Sequence, residues 1–156
     1  FLYYAIAVDP TMLVALSTIS AAQSNATNHT ATTVVKLLNY AATNPNAIIR
    51  YKASGMTLYI HSDASYLSEP EAKSRIGGFH FLSSKDQPES PDPPPLNGAV
   101  DVVCNILVPV VSSATEAETG GVFHNAKQAT YIRTILQELG WPQGPTRGQA
   151  RSPNRS

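Results

Sequence analysis

Charge and cysteine are both scarce in this sequence. Only 14% of its 156 residues are charged, and the formal net charge at pH 7 is zero. A balanced chain exerts no global electrostatic attraction on nucleic acid or on a membrane, so such contacts must come from a local patch. The single cysteine, Cys104, excludes an internal disulfide and a cysteine-based zinc site. Its apolar neighbours predict a buried and unreactive thiol.

Long apolar runs and targeting signals are also missing. No run of about 18 or more apolar residues occurs, so we expect no membrane-spanning helix. The N-terminal residues lack a basic stretch followed by an apolar one, and we therefore expect no signal peptide. Without such a signal, the glycosylation sequons at Asn25 and Asn28 are expected to be incidental. Because the chain opens at Phe1 inside an apolar stretch, we expect it to derive from a longer reading frame.

Apolar residues make up 42% of the chain, enough for a core, and their spacing predicts two helices in the first third. Asp9 before Pro10 signals a helix start, since aspartate caps and proline lacks an N–H that the first turn would leave unbonded. Apolar residues follow at helical spacing in 13–20. A second helix is expected to run from about residues 27–28 to the helix-breaking segment 43–46.

The apolar pattern then changes to a period of two. Residues 56–61 alternate between apolar and polar and predict a strand that ends at Asp63 in a short polar turn. Further strands are expected at 78–83 and within 100–110. The Pro-rich segment 88–95 between them predicts a loop or an extended spacer.

The last part of the chain predicts two helices and a tail. Residues 113–116 have the form of a capping box and predict a helix start. The glycine pair 120–121 disfavours a helix but permits close approach to a sheet. A separate helix is expected over 129–139, ended by Gly140. The segment 141–156 is predicted to be disordered. These elements predict an α/β (α+β) fold with a three-stranded antiparallel sheet.

Two carboxylates are candidates for chemistry. Asp63 is expected at a strand end, and Glu118 in the first turns of a helix. Rigidly held oxygen ligands of this kind suit Mg²⁺. Each residue also has an ordinary structural explanation, because aspartate is common in turns and a glutamate near a helix start complements the helix dipole. The residues by themselves leave both explanations open.

Several segments, in this order and spacing, resemble copia-type LTR retrotransposon polyproteins. Residues 61–66 (HSDASY), 74–78 (SRIGG) and 81–84 (FLSS) resemble the first strands of the family's ribonuclease H domain. Residues 112–118 (SSATEAE) resemble its S-S-T-E-A-E segment. Residues 2–10 (LYYAIAVDP) resemble the end of the reverse transcriptase region that precedes this domain.

The resemblance covers about residues 1–140 and implies a fold, an activity and partners. It implies a helical tail of the reverse transcriptase region at 1–50 and a partial ribonuclease H-like domain at 51–140, followed by the segment 141–156 whose composition predicts disorder. The implied activity is metal-dependent hydrolysis of RNA in an RNA–DNA hybrid. The implied partners are that hybrid and segments of the reverse transcriptase. We expect no membrane partner and a location in the cytoplasm or nucleus.

The resemblance also implies a site in which acidic residues hold two Mg²⁺ ions. Asp63 matches the family's first-strand aspartate, and Glu118 matches the glutamate of its first helix. Glu116 is the rival of Glu118, but we prefer Glu118 because Glu116 occupies the third position of the capping box. Lys73 and Arg75 are candidate contacts to a nucleic-acid backbone, or residues of a solvated turn.

The sequence departs from the family after Gly140. There the family has a strand ending in an Asp-Asn step, whereas no aspartate follows Asp101 in this sequence. Because the third and fourth acidic ligands are missing, we expect weak or absent Mg²⁺ binding and little hybrid cleavage. A non-enzymatic transposon remnant is an alternative, as is an interaction module in which the helical hairpin 10–42 docks on a partner.

Overall fold

The computed structural model describes residues 1–84 and 93–144. Its helices are α1 (Leu2–Ala7), α2 (Leu13–Ala21), α3 (Asn28–Thr43) and α4 (Ala114–Glu138), and its strands are β1 (Thr57–Glu69), β2 (Lys73–Ser83) and β3 (Ala99–Leu107). Short 3₁₀ turns lie at Pro10–Met12, Gln23–Asn25 and Pro70–Ala72. Parts of the predicted Pro-rich loop and of the predicted tail, residues 88–92 and 145–156, lie outside the described residues.

The three strands form one open antiparallel sheet in the order β1-β2-β3. This confirms the prediction of a mixed α/β fold with a three-stranded antiparallel sheet. The central strand, β2, pairs with β1 from Thr57↔Ser83 onward and with β3 from Ser74↔Leu107 onward. None of the helices in the described ranges has the length and apolar character needed to cross a membrane.

Side-chain caps start two helical elements of the first third at the positions that the sequence predicts, the 3₁₀ turn at Pro10 and α3. The Asp9 side chain accepts a hydrogen bond from the Thr11 amide and caps the turn that begins with Pro10. Thr27 caps α3 by accepting from the Thr30 amide. Both starts depend on contacts within a few residues, which is why a local pattern predicts them.

The N-terminal helices pack on the sheet. Their buried core consists of Ala5, Met12, Leu13 and Leu37, and it contacts Val102 and Cys104 of β3. The segment that leads from α3 to β1 is held by Asn97, which accepts a hydrogen bond from the Lys52 amide and donates to the carbonyl of Leu82. Only part of the apolar surface of the predicted hairpin is therefore buried inside the molecule.

The prediction that Asp63 ends a strand is wrong. β1 continues to Glu69, and Asp63 lies within it opposite Gly77. The chain reverses only at Pro70–Ala72. Polar residues do not end this strand, because an antiparallel sheet can expose one of its faces to solvent.

The prediction of a separate helix over 129–139 is also wrong. A single helix of 25 residues, α4, runs from Ala114 through the glycine pair to Glu138. A methyl group at Gly121 would lie 3.4 Å from Ile76 Cγ2, and one at Gly120 would lie 3.2 Å from Leu107 Cδ2. This close packing on the sheet offsets the unfavourable helix propensity of glycine. The predicted helix end at Gly140 is confirmed by its positive φ of 87°.

The two faces of the sheet differ in character. The face under α4 carries a small apolar core of Ile76, Val103 and Leu107, packed with Ala64. The opposite face carries an aromatic group in which the rings of Tyr59, His61 and Phe79 all contact Phe81, with His61 stacked on it at 5.2 Å. Asp63 follows His61 by two residues, so alternation assigns its side chain to this aromatic face.

Candidate metal site

Glu118 reaches the outer edge of β1. Its Oε1 accepts a hydrogen bond of 3.4 Å from the backbone amide of Ala64. The helix can lie this close because Gly121, one turn further on, has no side chain: a methyl group there would be 3.5 Å from both the Asp63 carbonyl oxygen and Ala64 Cβ. An amide on the outer side of an edge strand lacks a strand partner, and a carboxylate is a favourable acceptor for it.

Asp63 immediately precedes the residue that Glu118 contacts. Standard covalent geometry then limits the distance between the two carboxyl carbons to about 9 Å. The two side chains leave the strand region on different sides, because Ser62 and Ala64 face α4 whereas the exposed Asp63 side chain belongs to the aromatic face. The two residues therefore share one place on the sheet edge without converging on a closed cage.

Glu116 has a structural position at the start of α4. Its Oε2 accepts hydrogen bonds from the backbone amide of Ser112 at 2.6 Å and from the Ser112 hydroxyl at 2.8 Å. These bonds, the backbone one first, hold the pKa of Glu116 below its usual range. Ser113 caps the helix by accepting from the Glu116 amide at 3.1 Å. The carboxylate of Glu116 is thus directed at the preceding loop.

The two predicted contacts to nucleic acid lie in different environments. Lys73 is exposed at the surface, where its Nζ is 2.7 Å from Glu71. Arg75 is buried, and its Nε donates to Glu69 Oε1 at 2.6 Å. The hydrogen bond to Glu69 raises the pKa of Arg75, with burial acting in the opposite direction. Lys73 thus lies at the surface in an ion pair with Glu71, whereas Arg75 is held inside the fold.

The described residues do not assemble the ligand set of a two-ion centre. Among residues 1–84 and 93–144, no three or more His, Cys, Asp or Glu side chains gather where they could hold a metal ion. Mg²⁺ is commonly held by one or two carboxylates together with several water molecules. Asp63 and Glu118 supply two carboxylates at the edge of β1, on different sides of the strand.

A buried polar cluster between α4 and the sheet was not predicted from the sequence. His80 is fully buried, with its Nδ1 3.6 Å from Asp101 Oδ2 and its Nε2 3.4 Å from the backbone oxygen of Asn125. The Asn125 amide donates to Ser62 Oγ and to the carbonyl of Gly77, both at 2.9 Å. The alternation of His80 with two phenylalanines could have indicated its inward position, but nothing local identifies Asn125.

Comparison with known proteins adds no relative: no family model, no curated protein and no solved structure matches the chain. The fold is mixed α/β with an open three-stranded antiparallel sheet. Any function must therefore be argued from the residues and from the geometry at the edge of β1.

Proposed function

We propose that this chain is part of a copia-type retrotransposon polyprotein, with the end of the reverse transcriptase region followed by the first part of a ribonuclease H-like domain. The observation that carries the proposal is the contact between Glu118 and the Ala64 amide. It joins the two segments, 61–66 and 112–118, on which the resemblance chiefly depends. The two residues matched to family ligands are thereby neighbours, although they are far apart in sequence.

Asp63 and Glu118 are the residues that would hold Mg²⁺. The bound ion would supply Lewis-acid activation of a water molecule in the hydrolysis of RNA. Glu118 is oriented for this role by the Ala64 amide, which fixes its Oε1 at the strand edge. Lys73, which is exposed at the start of β2, would contact the phosphate backbone of the hybrid.

The chain by itself is proposed to have little or no hybrid-cleaving activity. A two-ion mechanism requires ligands that are fixed in advance within tight limits. The sequence has no aspartate after Asp101, and the described residues gather no group of three or more possible metal ligands. Two carboxylates and water give weak affinity for Mg²⁺, because affinity depends on the number of charged ligands.

A second candidate is an interaction module built on the helical hairpin 10–42. Leu13 and Leu37 are buried in the core, but Val35 and Leu38 of α3 are 54% and 44% exposed. Such exposed apolar residues suit contact with another protein segment, and the reverse transcriptase region is the partner that the resemblance suggests. This candidate requires no ion at Asp63, so the ion experiment distinguishes the two.

The test is titration of the ¹⁵N-labelled chain with Mn²⁺, which broadens amide signals close to the bound ion. Signals around residues 63–65 and 117–119 should broaden first. Asp63→Asn and Glu118→Gln should each weaken this broadening. Glu116→Gln is the matched control and should leave it unchanged, because its carboxylate is bonded to Ser112. Broadening that is indifferent to Asp63→Asn and Glu118→Gln, or that is lost in Glu116→Gln, would contradict the proposal.

A further inference from the structure

The only cysteine of the chain has a guanidinium beside its sulfur. Cys104 is partly buried on β3, on the sheet face opposite α4. Arg75, on the neighbouring strand β2, donates from Nη1 to Cys104 Sγ at 3.4 Å. The Nε of Arg75 donates to Glu69 at 2.6 Å, so the guanidinium is fixed at its other side. A bulge in β1 between Ser65 and Glu69 brings the Glu69 carboxylate back to Arg75.

One donor of this guanidinium has no acceptor in the part of the chain that the structure describes. Arg75 is only 8% exposed, and its Nη2 is buried without a hydrogen-bond partner among the described residues. Nη1 and Nη2 are carried by the same planar carbon and present parallel N–H groups at the end of the fork. An orphaned buried donor is unfavourable and is expected to accept an oxygen if one is offered. Since Nη1 is bonded to the sulfur, an oxygen on that sulfur lies within reach of Nη2.

Space for such an oxygen exists beside the sulfur. The cross-strand neighbour of Cys104 is Gly77, which has no side chain on this face. A methyl group at Gly77 would meet only the carbonyl oxygen of Asp63, at 3.9 Å. The sheet face next to Cys104 is therefore open at this position.

We propose that Cys104 is a site of reversible oxidation, at which a peroxide converts the thiol to a sulfenic acid that Arg75 holds through Nη2. The Cys104 thiolate attacks one peroxide oxygen, an S–O bond forms and the O–O bond breaks. The sulfur loses two electrons, the peroxide gains them, and the departing hydroxide takes up a proton to become water. Arg75 acts as a positioning residue for the added oxygen.

This inference is independent of the proposed nuclease ancestry and differs from the prediction made from sequence. Apolar neighbours in the chain predict an unreactive thiol, and those neighbours do flank Cys104 along β3. The guanidinium comes from β2 and is brought to the sulfur only by the strand register. A positive group beside a partly exposed sulfur is the environment in which protein thiols are oxidised selectively.

The test uses the full chain, one equivalent of hydrogen peroxide and dimedone, which traps sulfenic acid. Mass spectrometry of the peptide containing Cys104 measures the initial rate of adduct formation. The rate should be about tenfold higher in the native chain than in the urea-unfolded chain, after correction for the effect of urea on free glutathione. A native rate equal to or below the unfolded rate overturns the proposal.

Two variants assign the effect to the guanidinium. Arg75→Met should lower the native rate about tenfold, the loss expected for one charge-assisted hydrogen bond. Arg50→Met, which removes an exposed arginine, is the matched control and should leave the rate unchanged. If Arg75→Met keeps the native circular dichroism spectrum and also keeps the native rate, the proposal is overturned. If that variant unfolds, the comparison of native and unfolded wild-type chain decides.

Discussion

At the scale of single residues, the pair Glu69–Arg75 is the most buried ionic contact that the structure describes between oppositely charged side chains. Their side chains are 12% and 9% exposed, and the bond between them is 2.6 Å. Arg75 lowers the pKa of Glu69 below its ordinary value of 4.5, mainly through this hydrogen bond, while burial opposes the shift. Breaking one side of such a pair leaves the other charge buried and unmatched.

The lowered pKa of Glu69 determines how the stability of the Glu69→Gln variant depends on pH. A carboxyl group whose pKa is lower in the folded state stabilises the fold above its unfolded pKa and loses that contribution as the pH falls through its folded pKa. At pH 7 the variant should lose about 2 kcal/mol of unfolding free energy, because glutamine keeps a hydrogen bond and loses the charge. The difference from wild type should shrink steadily below about pH 4.5.

Urea unfolding between pH 3 and pH 7 measures this difference. Glu71→Gln is the control, since Glu71 forms an ion pair of similar length with Lys73 but is 76% exposed. Exposed pairs contribute little, so this variant should unfold like wild type at every pH. A loss in Glu69→Gln that is the same at pH 3 and pH 7 would show that Glu69 is not stabilised as a carboxylate.

At the scale of elements, the packing of α4 on β2 depends on Gly78 of β2. Asn125 of α4 is 1% exposed and lies directly against Gly78, where a methyl group would overlap the Asn125 side-chain oxygen. Gly78→Ala should therefore lower the unfolding free energy by about 2 kcal/mol. Gly77→Ala is the matched control on the other face and should change it by less than about 0.5 kcal/mol.

Urea unfolding of the two variants distinguishes packing from a general effect of alanine in a strand. Both changes replace a glycine by alanine in the same strand, so their propensity effects should be alike. Only Gly78 faces the helix, and the Cβ at Gly77 would have no neighbour closer than 3.9 Å. Equal losses of unfolding free energy in the two variants would mean that the contact with α4 is not what makes alanine unfavourable at Gly78.

The sequence predicts those parts of the elements that depend on local chemistry. Asp9, Thr27 and Ser113 start their helices because each side chain bonds an amide two or three residues away. The continuity of α4 could not be predicted in this way, because its glycine pair is offset by packing on residues of β2 and β3. The length of β1 was missed for a similar reason, since its polar half is held by pairing with β2.

The candidate site, like the elements, could be predicted only where local sequence patterns determine it. The resemblance supplied Asp63 and Glu118, and the preference for Glu118 over Glu116 relied on a local capping argument. The bonds of Glu116 to Ser112 agree with a structural role for Glu116, although in a capping box the carboxylate bonds the amide of the capping residue itself, here Ser113. The burial of Arg75 with Glu69 and Cys104 needs the bulge in β1 and the register of β3, which no pattern in the sequence reveals.

At the scale of the whole molecule, α4 and the segment after it follow the outer edge of β1. Gln143 accepts a hydrogen bond from the Leu58 amide and donates to the Met56 carbonyl, both at 2.9 Å. Glu118 contacts the same edge at Ala64. Within residues 1–84 and 93–144 no further strand pairs with this edge, and an open edge of this kind favours association with another strand.

We propose that the chain carries part of a ribonuclease H-like metal site, with too few ligands for the two-ion reaction. The most direct measurement is incubation of the purified chain with a labelled RNA–DNA hybrid and millimolar Mg²⁺ or Mn²⁺, beside the Asp63→Asn variant. We expect no cleavage above that of the variant, because Asp63 and Glu118 alone are too few ligands for two ions. Cleavage by the wild-type chain well above that of Asp63→Asn would contradict the account of the missing ligands.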